Sequence, residues 1–313
     1  MLKRHSHYSY PIRKIRGSSL LLVLAVMAVI GTAMAGLLVT INAYLDKVQE
    51  RRAGFKAYQL AHSGVAIALQ SGIQPDHPLL KQELNELESF KVELTSENAR
   101  LNINALVLGS DPSPLQRLFE LWGLNKEEAD ILVDRLGDWT DGDSLKKLNG
   151  AEELDYLAAG RRGQPRNAAF KSLDEMENVL GMGRVTEVRP DWKQYFTVWA
   201  NTKLNLMEAD EIVIRAYFDI TEGQVESFTS YRYGRDGIRY TDDDPEDITL
   251  DEALSLLGVP LDSSAEVLTR IGIDSTHHRI VATGIVGTRE HTLEVIAPSS
   301  GNVAKNSLVW LRL

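Results

Sequence analysis

The stretch SSLLLVLAVMAVIGTAMAGLLVTI, Ser18–Ile41, decides the architecture: it runs 24 residues without a charged side chain. As a helix rising 1.5 Å per residue it spans about 36 Å, enough for a hydrocarbon core of about 30 Å. An Asp, Lys or Arg at its centre would cost roughly 3 kcal/mol, and it holds none. In front of it lies a head with Lys3, Arg4, Arg13, Lys14 and Arg16 and no acid, ending in Gly17. Basic flanks stay on the cytoplasmic side, so everything beyond Ile41 is expected across the membrane.

Working outward, a secretory signal peptide is the competing reading, and Thr32-Ala33-Met34-Ala35 resembles its cleavage site. Its apolar region should end within about 7–15 residues, however, and here periodic sequence continues without a turn signal. From Asn42 there is no proline before Pro75, and Val48, Phe55, Leu60, Val65 and Leu69 recur at roughly helical spacing. The economical expectation is one helix of about 50 residues, half in lipid and half in water. Gly31, Gly36, Gly54 and Gly64 weaken its straightness, each at up to about 1 kcal/mol.

The whole chain carries a formal charge of −10, and removing the basic head leaves 29 Lys+Arg against 44 Asp+Glu. That balance argues against a nucleic-acid partner, which needs clustered Lys and Arg. The absence of cysteine excludes disulfides and thiolate metal sites and leaves the compartment open. A soluble part of about 270 residues allows two domains of ordinary size.

Further along, Phe90–Leu106 (FKVELTSENARLNINAL) alternates like a strand pair turning at Ser96-Glu97-Asn98. Pro114–Trp139 and Lys171–Gly181 read as helices, Tyr195–Ala200 and Lys203–Leu206 as strands, and Glu208–Ala216 as a helix. Next come a strand at Gln224–Tyr233, a helix at Leu250–Leu257, and strands near His278–Val286, His291–Ile296 and Leu308–Leu313. A helical block of roughly 85 residues thus sits between the strands of an α+β domain.

Asp138, Asp141 and Asp143, then Glu152, Glu153 and Asp155, form the densest group of oxygen ligands in the chain. In the spacing D-x-x-D-G-D, Gly142 permits a tight turn bearing Asp141 and Asp143. Calcium takes six to eight oxygens, which carboxylates on such a loop supply. The lack of Cys or paired His nearby argues against zinc and copper, and the pattern is not that of an EF-hand. Helix capping by Asp138 or Asp141 accounts for the same acids, and both readings stand at this point. The later run Asp242-Asp243-Asp244-Pro245-Glu246-Asp247 reads as a solvated acidic turn.

LWGLNKEEADILVDRL and FKSLDEMENVLGMGRV each resemble half of a helix-hairpin-helix, but in acidic surroundings they read as a packing module rather than a grip on phosphates. No catalytic residue is expected. His277, His278 and His291 lack an HExxH spacing, and there is no G-x-S-x-G elbow.

Gly17 followed at once by an apolar helix that continues as an amphipathic one resembles the type IV pilin-like proteins. In that family a prepilin peptidase cuts after the glycine, which implies Ser18 as the first, N-methylated mature residue. Pilins usually carry glutamate at mature position five, and here it is Leu22; the class K minor pseudopilins of type II secretion systems (GspK) typically lack that acid. The ordered series ARLNINAL, Trp122–Asn125, Val133–Asp143, Gly150–Tyr156, Phe170–Met182, Phe196–Trp199 and Leu204–Leu206 is similar to that class. Departures are Arg161–Arg166 in place of a proline-rich loop, and Met207-Glu208-Ala209 where Asn-Thr-Ala is usual.

The resemblance implies an α+β, pilin-like fold with a long N-terminal transmembrane and amphipathic helix, an antiparallel sheet and a large inserted all-helical domain. Its divisions would be a leader at 1–17, a transmembrane half-helix at 18–41, the periplasmic half-helix and first strands at 42–106, the insertion at 107–194, and the rest of the pilin-like domain at 195–313. It implies calcium in the insertion, a non-catalytic place at or near the tip of a periplasmic fibre, and minor pseudopilins of classes I and J as partners. It further implies residence in the bacterial inner membrane with the N-terminus cytoplasmic. A minor pilin of a type IV pilus and a membrane-anchored, calcium-dependent periplasmic enzyme are the alternatives.

Overall fold

A computed structural model describes residues 18–109, 111–199, 203–245, 248–260, 269–299 and 310–312. The leader, with Gly17 on its side of the expected cleavage junction, lies outside these residues, as do Glu246 and Asp247 of the second acidic run. In chain order the elements are α1 (Ser18–Ala68), β1 (Lys81–Asn85), β2 (Glu88–Ser96), β3 (Leu101–Asn102), α2 (Ile103–Val107), α3 (Ser113–Leu121), α4 (Lys126–Thr140), α5 (Glu153–Ala158), α6 (Met182–Val188), β4 (Phe196–Thr197), β5 (Leu204–Asn205), α7 (Glu211–Phe218), α8 (Glu222–Arg232), α9 (Leu250–Leu256), β6 (Ile271–Gly272), β7 (His277–Val286), β8 (Arg289–Pro298) and β9 (Trp310–Arg312).

Helix α1 is 51 residues long, as its uninterrupted periodicity predicts. From Leu20 to Ile41 its large apolar side chains are exposed, covered by nothing among the described residues, the character of a surface made for lipid. Beyond Phe55 the character changes. Ala57, Leu60, Ala61, Val65 and Ala68 are buried against the main sheet. Small residues set the closeness of that contact: a Cβ added at Gly284 would lie 2.0 Å from the Ala57 carbonyl oxygen, and one at Gly64 would lie 2.7 Å from Val92 Cγ2. The helix backbone therefore rides directly on β7.

The main sheet is antiparallel throughout, with strand order β1-β2-β7-β8-β9. Period-two alternation in β2 turns Phe90, Val92 and Leu94 towards α1, opposite Gly284, Ala282 and Ile280 of β7. Gly287, at φ 59°, opens the two-residue turn that joins β7 to β8.

Several expectations need correction. FKVELTSENARLNINAL is not a strand pair: after Ser96 the chain makes a short 3-10 turn with Glu97 and Asn98 fully buried, then enters β3 and α2. β3 instead pairs in parallel with β4, Leu101 beside Phe196, because buried polar partners rather than a solvent turn hold the Ser96–Asn98 corner. Gln224–Tyr233, expected as a strand, is helix α8. Its buried positions Val225, Phe228, Thr229 and Arg232 follow helical spacing, and Thr221 with Gln224 forms a capping box. Pro114–Trp139 is two helices, broken at Gly123 with φ 99°, and Lys171–Gly181 holds only a 3-10 segment at Leu173–Asn178.

The helical body is also larger than the span 107–194. One continuous core runs from Leu101 to Ile271, so α7, α8 and α9 pack with the earlier helices rather than with the sheet. Phe196 lies at its centre, in ring contact with Phe119, Trp122 and Trp192. Both ends of this body are pinned by short parallel pairs, β3 with β4 and β5 with β6.

Candidate functional site

The predicted carboxylates hang on the end of α4 and the start of α5. Asp138 occupies the last turn of α4, where the helix dipole disfavours an anion. It is fully buried and is held by Lys147, whose Nζ donates to Oδ1 at 3.0 Å and whose backbone N–H lies 3.2 Å from Oδ2. Gly150 makes room for this: a Cβ there would sit 1.8 Å from Asp138 Oδ2. Burial pushes the Asp138 carboxyl up, against the hydrogen bond and charge of Lys147.

Asp141 ends α4 in an extended conformation and also receives Lys147 Nζ through Oδ2, while its buried Oδ1 has no partner. Asp143 accepts the Leu145 N–H at 2.7 Å, and Glu152 sits buried just before α5 with Oε1 unpartnered. Asp141, Asp143 and Glu152 each place a carboxylate oxygen within 4.8 Å of the other two. The Glu152 carboxyl is raised above the usual range, first by burial and then by the charges of Asp138, Asp141 and Asp143.

Asp155 lies apart from that group. It accepts the Glu152 N–H at 2.9 Å as the first-turn acid of α5 and takes Lys146 Nζ at 2.7 Å, which lower its carboxyl. Glu153 is exposed in the same first turn. The acids therefore divide. Asp138 and Asp141 stand at the C-terminal end of α4 and cap no helix start, while Asp155 serves the start of α5. Lys147 neutralises Asp138, and Asp141, Asp143 and Glu152 converge. Two buried carboxylate oxygens without donors, Asp141 Oδ1 and Glu152 Oε1, beside the exposed Asp143 suit a hard divalent cation, with water completing its shell. Lys147, which pairs with both Asp138 and Asp141, was not singled out by sequence because a lysine in a loop has no distinguishing spacing.

A second polar centre escaped the sequence reading. Glu97 is fully buried and bonded by Arg279 of β7, by Thr197 of β4 and at 3.5 Å by Arg100. Asn98, equally buried, donates to the Lys203 carbonyl at 3.1 Å and accepts from the N–H groups of Thr276 and His277 at 2.9 and 3.2 Å. These two side chains tie β2 to the start of the helical body, to its return strands and to β7. The clue was a Glu-Asn pair inside an otherwise strand-like run.

In the later acidic run, Asp243 accepts the Arg235 N–H and Asp244 the Tyr240 N–H, both at 2.6 Å, so these acids stabilise their own turn. Asn125 and Glu128 form a capping box at the start of α4, and the helix-hairpin-helix-like segments pack into the aromatic core.

A family model described as "Type II secretion system (T2SS), protein K" matches residues 99–190. The type II secretion system protein K of Pseudomonas aeruginosa is 26% identical over 262 residues, covering 74% of this chain and 77% of its own. A chain of the crystal structure of the GspK-GspI-GspJ complex from enterotoxigenic Escherichia coli shares the fold at a TM-score of 0.59 and 17% identity, covering 87% of this chain and 98% of that one. The chain is thus similar to type II secretion system protein K in two ways, through residues 99–190 by the family model and over most of its length by a relative, and it shares the fold of a chain of the GspK-GspI-GspJ complex.

Proposed function

We propose that the chain is a class K minor pseudopilin of a type II secretion system, a non-catalytic subunit at the tip of the periplasmic fibre, where it helps to initiate assembly and export of folded proteins. The observation that carries the reading is the helical body inserted between β2 and β7, with its core running from Leu101 to Ile271. A body of that size fits above a helical stack more readily than within it. Leu22 supports the same position, since it offers no acid to the terminal amine of a neighbour above. The fold relative comes from a complex with GspI and GspJ, and small pseudopilins of those classes are the proposed partners here.

In this reading prepilin peptidase cleaves between Gly17 and Ser18, Ser18 is N-methylated, and α1 holds the subunit in the inner membrane with its basic end cytoplasmic. Calcium held by Asp141, Asp143 and Glu152 would neutralise their charges and fix the loop between α4 and α5. Mass spectrometry of the mature chain should find methylated Ser18 first; a start after Ala35 removes the proposal. Co-purification of the detergent-solubilised chain with class I and J pseudopilins should give a stable complex, and its absence would refute the tip assignment.

A further inference from the structure

Away from the acidic loop, a cavity of about 300 Å³ opens where the end of β2, the end of α8 and the loop after α8 meet. Three guanidiniums line it, those of Arg100, Arg232 and Arg239, together with the carboxylates of Glu208 and Asp210 and the hydroxyl of Tyr240. The carboxylates are already committed. Glu208 takes Arg239 at 2.9 Å and the Tyr240 hydroxyl at 2.6 Å, and Asp210 accepts the Ile212 N–H as the N-cap of α7. Asp244, at 3.5 Å, adds to the compensation of Arg239.

Arg232 is different. It is only 2% exposed, yet it donates to the carbonyls of Leu206 and Ala209 and to the Tyr233 hydroxyl, and no carboxylate lies within ion-pair distance among the described residues. Its Nε is buried without a partner, and so is that of Arg100. Arg100 competes for Glu97 with Arg279, which holds the nearer position at 2.7 Å against 3.5 Å. A buried cation without a counter-ion is unfavourable, and a guanidinium is matched best by a planar carboxylate.

We propose that this cavity binds a single carboxylate, held between the guanidiniums of Arg100 and Arg232. The pairing selects that class. Arg239 is matched by Glu208 and Asp244, and Arg100 shares Glu97 with Arg279. Arg232 is then the lining cation left without a carboxylate among the described residues, one positive charge that a carboxylate monoanion balances and a phosphate dianion exceeds. Burial, then repulsion from Arg279, brings the pKa of Arg100 down to about 10, and the charge of an adjacent anion would act in the opposite direction. The volume admits one acidic side chain or a short free acid. Both sources present the same chemistry.

The test titrates the full chain, in detergent, with acetate, with the blocked peptide acetyl-Gly-Glu-Gly-amide and with its Gln counterpart, read by calorimetry. The Glu peptide should bind at least tenfold more tightly than the Gln peptide, and Arg100→Gln should abolish that preference. Arg100→Lys, which keeps the charge in case the Gln variant does not fold, should lower it several-fold. Peptide binding tighter than acetate assigns the site to an acidic residue of another polypeptide, and equal binding to a free small carboxylate; either supports the proposal. Equal affinity for the Glu and Gln peptides, or an unchanged preference in both Arg100 variants, overturns it.

Discussion

Arg279 reaches Glu97, 182 positions earlier, with Nε at 2.7 Å from one carboxylate oxygen and Nη2 at 2.9 Å from the other. Arg279 also meets Glu294 of β8, so one guanidinium joins two strands of the sheet to the corner where the helical body begins. Removing it leaves Glu97 charged and buried. Arg279→Met should cost about 3–5 kcal/mol in urea unfolding followed by tryptophan fluorescence. The double variant Arg279→Met/Glu97→Met should lose less than the sum of the single variants, because neither member of the pair is left facing the other's vacancy; Arg100 and Glu294 each still lose a partner.

Gly284 allows the backbone of α1 to touch β7. In Gly284→Val the new Cβ would fall 2.0 Å from the Ala57 carbonyl oxygen, with no flexible side chain there to yield. Overpacking of this kind costs about 1–3 kcal/mol or more. Gly183, whose added Cβ meets nothing within 4 Å, serves as a control, and Gly183→Ala should leave the thermal midpoint nearly unchanged or raise it slightly.

The carboxylate group predicts a change of sign. Glu152→Gln removes a carboxyl already disfavoured by burial and by three neighbouring acids, so without metal the variant should melt above wild type. With calcium in hundredfold excess over its Kd, wild type should gain about 2.7 kcal/mol, and Glu152→Gln or the pair Asp141→Asn/Asp143→Asn should not. Asp155→Asn should keep the calcium response, because that acid serves α5 and Lys146. Thermal scans with calcium and with EDTA decide each outcome.

His278 is half-buried in β7, with Nδ1 unpartnered, and burial lowers its pKa below the ordinary value. Below about pH 6.5 the unfolded chain therefore takes up a proton that the folded chain resists. The contribution is complete above that pH and is lost as the pH falls. In thermal melts between pH 7.5 and 5.5, His278→Gln should lose less stability than wild type.

The long-period features were legible in the sequence, and the polar joints were not. Ser18–Ile41 announces its helix because no charge interrupts it, and the strands at His277–Val286 and Arg289–Pro298 follow from alternation. Val225, Phe228 and Tyr231 escaped as a helix because aromatic and β-branched residues favour strands in isolation, and only packing against the core of the body decides otherwise. The acids of the α4–α5 loop were found as a group, but their division depended on Lys146 and Lys147. Glu97 and Asn98 read as turn residues because their partners lie more than a hundred positions away.

The register that pairs Ser96 with His278 also imposes an order of events. A chain delivered N-terminus first completes the many short-range contacts of its helices while β2 still waits with Phe90, Val92 and Leu94 uncovered by β7. That waiting edge is prone to wrong partners until the last strands arrive. Closure of the sheet, seating of Arg279 on Glu97 and docking of α1 are then one late step. The protein cannot offer a finished surface to any partner before its own C-terminal strands have emerged, so maturation is timed by the chain itself.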